Sequence, residues 1–218
     1  RVRERLVRTR TSIICQLRSF MLENGVAVRT GRAALAKALP DILEDAEQPL
    51  SDRMRALIQG LRDHWLFLDE QIKLVSADLE RIAKSRDDCR RLLTGPGVGP
   101  LVATALIASV GNGKQFKRGR ELSAWLGLVP REHSTGGKQR LLGISKRGSS
   151  YLRKLVIHGA RSCYLNMNRS QHRMGAWIDE MANRGTHRNI IVVAIANKLA
   201  RICWAVMRDG DVYHCARA

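Results

Sequence analysis

The segment Pro130-Arg131-Glu132-His133-Ser134-Thr135-Gly136-Gly137-Lys138 sets two hydroxyls beside two glycines inside a strongly basic stretch. A hydroxyl nucleophile needs activation, open access and cations that stabilise charge developing on a phosphate. Ser134 and Thr135 supply the hydroxyls, and Arg131, Lys138 and Arg140 supply the cations. His133 is adjacent in sequence, but adjacency does not make it a base. Spacing alone fits an ordinary polar turn more simply than a catalytic loop.

Two other motifs have the residue types of a phosphate site. Gly95-Pro96-Gly97-Val98-Gly99-Pro100 resembles the turn of a helix-hairpin-helix element. Gly97 and Gly99 would let backbone approach a phosphate, and the amides of the following helix would donate to it. No Gly-Lys-Ser/Thr follows, so this is not a nucleotide-binding P-loop. Ile144-Ser145-Lys146-Arg147-Gly148-Ser149 leads a basic loop into a helix start. There Lys146 and Arg147 could grip a phosphate beside free amides, or Ser149 could simply cap the helix.

These motifs lie in the most basic part of the chain. Lys+Arg number 38 and Asp+Glu 20 over 218 residues, a net charge of +18. Residues 114–161 hold twelve basic and two acidic side chains, a density that suits a polyanion. Lys117, Arg118, Arg131, Lys138, Arg140, Lys146, Arg147 and Arg153 are its candidate phosphate contacts. Residues 41–90 are net −4. A membrane surface is the other polyanion, but no apolar face accompanies the basic block. No run of about 18 uncharged apolar residues indicates a span.

Metal and redox chemistry find little support. The five cysteines, Cys15, Cys89, Cys163, Cys203 and Cys215, form no CxxC pair, and the six histidines form no HxxxH pair. With no secretory signal pattern, the odd count reads as a reduced, cytoplasmic chain. Arg1 rather than Met opens the sequence, so a piece of a longer protein is expected. Trp125, Trp177 and Trp204 read as core residues.

The elements that must position the motifs are mainly helical. Residues 1–24 form a basic helix with Val2, Leu6, Ile13, Leu17 and Phe20 inward, stopped by Asn24-Gly25. Thr30 is placed to cap a short helix over Arg32–Leu39 that ends before Pro40. Ile58, Leu61, Trp65, Leu68, Ile72, Val75, Leu79 and Ile82 are spaced alternately by three and four, an a/d seam. That seam pairs with the chain's own first helix or with a second copy. A helix starts at Pro100 and ends at Gly111, and a short one covers residues 118–127. Residues 128–148 are irregular, with a small hairpin around Leu141 and Leu142. Helices follow from Ser149 to about Tyr164, over 171–183 and over 187–207, and the tail frays after Asp209-Gly210. The division is a helical coiled-coil linker at 1–90 and a compact domain at 91–218. That domain holds the glycine turn (92–110), the serine loop (128–148) and the helices 149–207.

LLTGPGVGPLVATALIASVG, then F-K-x-G-R-E-L-S-A-W-L-G-L-V-P, then REHSTGGKQRLLGISKRGSSYLRKLVIHGAR resembles the C-terminal domain of insertion-sequence 110 transposases, closest to the insertion-sequence 1111 subgroup. The resemblance is dense over 92–161. It implies a DNA recombinase guided by a structured RNA, with an N-terminal RuvC-like acidic domain, a coiled-coil linker and this domain. It implies a serine that attacks a DNA phosphate, here Ser134 or, in the alternative register, Thr135. It implies that Mg is held by the acidic domain, which is missing here, so this chain has no cofactor of its own and is inactive alone. DNA, the guide RNA and further copies, joined through the 58–82 helix, are the implied partners in a bacterial, nucleoid-associated setting. Without the resemblance the residues leave two other readings open. One is a non-catalytic nucleic-acid module built on the 95–100 turn. The other is a coiled-coil assembly protein.

Overall fold

The computed structural model describes residues 1–214, and Cys215, in the tail expected to fray, lies outside the described residues. The fold is mainly α and divides into two compact units, Arg1–Asp78 and Leu79–Ala218. The division falls inside a helix, upstream of the boundary at 90 drawn from sequence.

The first unit contains α1 (Val2–Glu23), α2 (Arg32–Glu44) and most of α3 (Asp52–Ser85). Ile13, Leu17 and Met21 of α1, Leu35 and Leu39 of α2, and Ile58, Trp65 and Leu68 of α3 share one buried cluster. The front of the a/d seam is thus spent within its own chain. Val2, expected inside, is exposed, because the cluster reaches back along α1 only as far as Leu6. The helix expected to end before Pro40 runs on to Glu44 with Pro40 inside it. Proline removes one amide donor there, yet Ile42 and Leu43 beyond it pack on the same cluster and hold the turn in place. Gly31, not Thr30, is the N-cap residue of α2, with φ 106 that a β-carbon resists. Ser51 does cap α3: its Oγ accepts the Met54 amide at 3.2 Å. Arg55 ties the α2–α3 connection together by donating to the carbonyls of Ile42, Leu43, Gln48 and Leu50.

The second unit carries the motifs. It contains α4 (Asp87–Leu93), α5 (Pro100–Val110), α6 (Gly119–Trp125), β1 (Pro130–Glu132), β2 (Leu141–Ile144), α7 (Ser150–Asn166), α8 (Arg173–Asn183) and α9 (Arg188–Asp209). α9 is its axis. Ile191, Ile195, Ala196, Leu199, Ala200 and Cys203 are buried along one face, α4, α6, α7 and α8 pack against it, and α5 packs on α4 and α7. Among the described residues α9 alone has the length and hydropathy of a membrane span, and its apolar face is the core of this unit. Trp125 departs from the core expectation: it is 40% exposed at the end of α6, because Leu122 and Leu126 take the inward positions. Its ring rests 5.8 Å from that of Phe116 instead.

Candidate nucleic-acid interface

The serine loop is a β-hairpin. β1 and β2 pair antiparallel, Pro130 opposite Ile144 and Glu132 opposite Leu141. The pairing extends through His133, whose amide donates to the Arg140 carbonyl at 2.9 Å. It closes where Thr135 faces Lys138. Gly136 and Gly137 form the tip, with φ 56 and 78. Two positive φ values in a two-residue turn match the twist of the flanking strands, and glycine adopts both without strain. The two glycines of the stretch read as irregular therefore specify a hairpin turn.

Every residue from Arg131 to Arg140 is exposed. Ser134 sits one residue before the turn's first corner. Its Oγ donates to Glu132 Oε1 at 2.7 Å and accepts the Arg140 amide at 3.2 Å. Glu132 and Ser134 share a face because side chains alternate along a strand. Thr135 contributes a carbonyl to the turn, accepting the Lys138 amide at 3.0 Å. Glu132 is the only acid between Arg118 and Arg161 besides Glu121. Arg131, Lys138, Arg140, Lys146 and Arg147 form no ion pair among the described residues; the first three share the hairpin with this hydroxyl and the last two stand at its root. Glu132 escaped the sequence reading. The period of two that places it beside Ser134 was the available signal.

The hairpin is rooted in α6 and α7. The Ser145 amide donates to the Val129 carbonyl at 2.9 Å, and the Lys146 amide to Gly127 at 3.2 Å. A β-carbon on Gly127 would lie 2.2 Å from the Arg147 carbonyl oxygen, and one on Gly148 would lie 2.0 Å from that of Trp125. Only glycine permits this interlock. Lys146 is held at φ 57, unusual for a residue with a side chain. Ser145 Oγ is buried with no hydrogen-bond partner. Ser149 caps α7 by accepting the Leu152 amide.

Two sequence candidates have structural tasks. Arg153 donates through Nη1 to the Leu126 and Arg147 carbonyls, at 3.1 and 2.9 Å, and so staples the root. Gly97 packs against α7: a β-carbon on it would lie 2.4 Å from the Gly159 carbonyl oxygen. Gly99 stands open before Pro100, at a helix start without a side-chain cap. Lys117 and Arg118 lie exposed ahead of α6, away from the hairpin in sequence. Among the described residues no group of three or more His, Cys, Asp or Glu side chains converges on a metal-sized site.

Residues 89–175, which contain the turn, the hairpin and its root, match the family model described as Transposase IS116/IS110/IS902 family. Over 217 residues the chain is 42% identical to a probable family 20 transposase of Pseudomonas aeruginosa, covering 98% of this chain and 63% of that protein. It is 40% identical to the transposase for insertion sequence element IS1111A of Coxiella burnetii, covering 99% of this chain and 59% of that one. Over nearly its whole length the chain is thus similar to transposases of this family. A transposase for insertion sequence element IS1328 of Yersinia enterocolitica is 38% identical, covering 98% of this chain and 63% of the relative. The chain thus spans about three-fifths of the length of the curated relatives it matches. Within the family match, Arg131, Lys138, Arg140, Lys146 and Arg147 lie on the hairpin and its root.

Proposed function

We propose that this chain is the portion of a transposase that grips DNA and presents Ser134 as the nucleophile for strand exchange. The observation that carries this is the exposed Ser134 hydroxyl, fixed between a carboxylate and a backbone amide on a hairpin whose other charges are unneutralised cations. Ser134 Oγ attacks a DNA phosphorus and gives its proton to the Glu132 carboxylate. The Oγ–P bond forms as the bond from phosphorus to one sugar oxygen breaks. The leaving oxygen takes a proton from solvent. Arg131, Lys138 and Arg140 offset the charge that gathers on the phosphate.

A structured guide RNA is the second polyanion of this reading. A divalent metal would be held by an acidic domain of the whole transposase. Copies would associate through α3, but not through the seam that faces α1 and α2. Leu57, Leu66, Phe67 and Leu74 are the exposed large apolar residues of α3, and Phe67 and Leu74, two turns apart, are the most exposed at 60% and 55%.

The test is a covalent-trapping assay on nicked DNA carrying an element end, with the full transposase reconstituted around this chain. The expected result is a protein–DNA adduct that Ser134→Ala abolishes and Thr135→Ala retains. An adduct surviving Ser134→Ala, or lost with Thr135→Ala alone, would reject the assignment.

A further inference from the structure

The hairpin forms one wall of a groove that continues beyond it. β2 faces α8 and α9 across a hollow of about 940 Å³ lined by Leu141, Leu142, Trp177, Ile190, Lys198 and Arg201. Arg140, whose amide reaches Ser134 Oγ, directly precedes this wall. At the far end of the groove the surface turns cationic. Lys198 and Arg201 also border a second hollow with Arg118, Arg120 and Trp204. A third hollow follows between Lys114, Lys117 and Arg208. Lys198, Arg201 and Arg208 stand on the outer side of α9, whose opposite side is the core.

The charge on this strip is unsatisfied. Arg118, Arg120, Arg173, Lys198 and Arg201 form no ion pair among the described residues. The acids nearby are Glu121, whose carboxylate accepts the Lys117 amide, and Asp209 at the far end. Lys198 lies 4.5 Å over the Trp177 ring, and Arg208 lies 5.0 Å over that of Trp204. Burial, and then Arg173 and Arg201, push the Lys198 ammonium below its ordinary range. Cations that crowd one another without a counter-charge gain most from a bound anion.

We propose that the outer side of α9 is a second phosphate-binding track, continuous with the Ser134 hairpin, which holds the DNA leading away from the attacked phosphate. The proposal rests on the transposase reading above for what lies at the hairpin. Spacing favours a regular polyanion. Lys198 and Arg208 are ten residues apart, about 15 Å along the helix, or about four phosphate steps at roughly 3.4 Å per base pair. A single small anion would need convergent donors, and these cations are strung out.

The test measures binding of the 218-residue chain to a fluorescein-labelled DNA duplex between about 50 and 200 mM salt. Lys198→Gln/Arg201→Gln is compared with the charge-conserving Lys198→Arg/Arg201→Lys and with Lys146→Gln/Arg147→Gln, melting temperatures being followed in parallel. Losing two phosphate contacts lowers the salt slope by about 1.8 and affinity by roughly tenfold or more at low salt. The charge-conserving pair restores both. Wild-type slope and affinity in the glutamine pair would overturn the track. So would a loss seen only with an RNA hairpin of equal length. If the unaltered chain binds neither polymer, the basic block's nucleic-acid reading fails as a whole. If it binds and only Lys146→Gln/Arg147→Gln weakens it, the hairpin reading survives and the track does not.

Discussion

Ser134 Oγ donates to Glu132 Oε1 across 2.7 Å, two residues back along the same arm of the hairpin. In the proposed reaction this contact would give the hydroxyl proton a place to go. Glu132→Gln keeps the shape and removes the acceptor of a full proton. Adduct formation should fall by about 10²-fold or more, while DNA affinity rises slightly because a carboxylate has gone. Equal loss of affinity and rate would show instead that the contact only shapes the hairpin.

Lys146 combines a strained backbone with a candidate phosphate contact, and one substitution separates them. Lys146→Gly should raise stability by about 1 kcal/mol in urea unfolding, since glycine takes positive φ freely. The same variant should lower the salt slope of DNA binding by about 0.9. A destabilised Lys146→Gly would mean that the side chain holds the loop.

The mutual approach of Gly97 and Gly159 makes both intolerant of a methyl group. Gly97→Ala would set a β-carbon 2.4 Å from a carbonyl oxygen, and Gly159→Ala one 2.2 Å from the Gly97 carbonyl oxygen. Each should cost about 2 kcal/mol or more, the range of severe backbone strain and overpacking. Gly99→Ala, which meets nothing within 4 Å, should be far milder. Thermal melts of the three variants decide this.

Leu68 and Phe67 are neighbours with opposite fates. Leu68 is 4% exposed and Phe67 is 60% exposed. Leu68→Asp should unfold the first unit, because it buries an unpaired charge. Phe67→Asp/Leu74→Asp should leave the helical circular dichroism intact and reduce self-association in sedimentation. A folded, monomeric Leu68→Asp would restore the seam as the contact between copies.

Burial pushes the Cys203 thiol up to about 12. A thiol whose native pKa is raised stays neutral while the unfolded one ionises, so its stabilising effect is complete below about pH 8.5. It is lost as pH climbs from there toward 12. Native alkylation near pH 8 should therefore modify the exposed Cys15 and spare Cys203. Cys203→Ala should soften the alkaline loss of stability.

What could be read in advance was local. Ser149 capping α7, Pro100 opening α5 and Leu152, Leu155, Val156 and Ala160 facing inward all follow from neighbours a few residues away. What could not be read depended on distant partners. Pro40 continues α2 because Ile42 and Leu43 find the α1–α3 core. Arg153 serves carbonyls as far as residue 126, and Gly97 is spoken for by Gly159. The hairpin itself was half visible, since Gly136-Gly137 encodes its turn, but an acid two residues before a serine means little until both are known to share a strand. The α9 cations were hidden by arithmetic: Lys198, Arg201 and Arg208 vanish in a charge sum but stand out once the helix separates its core side from its outer side.

The interlock of Gly127 with Arg147 and of Gly148 with Trp125 fixes the foot of the hairpin, so its length becomes a ruler. Residues can be added between that foot and the Gly136-Gly137 tip without disturbing either. To keep Ser134 on its present face the increment must be two residues per strand, or about 6.6 Å at roughly 3.3 Å per residue. Two base-pair steps along a duplex come to about the same length, roughly 6.8 Å. Under the proposed chemistry, a lengthened hairpin would move Ser134 along a bound duplex in jumps of about two base pairs, while the rest of the grip stayed in register.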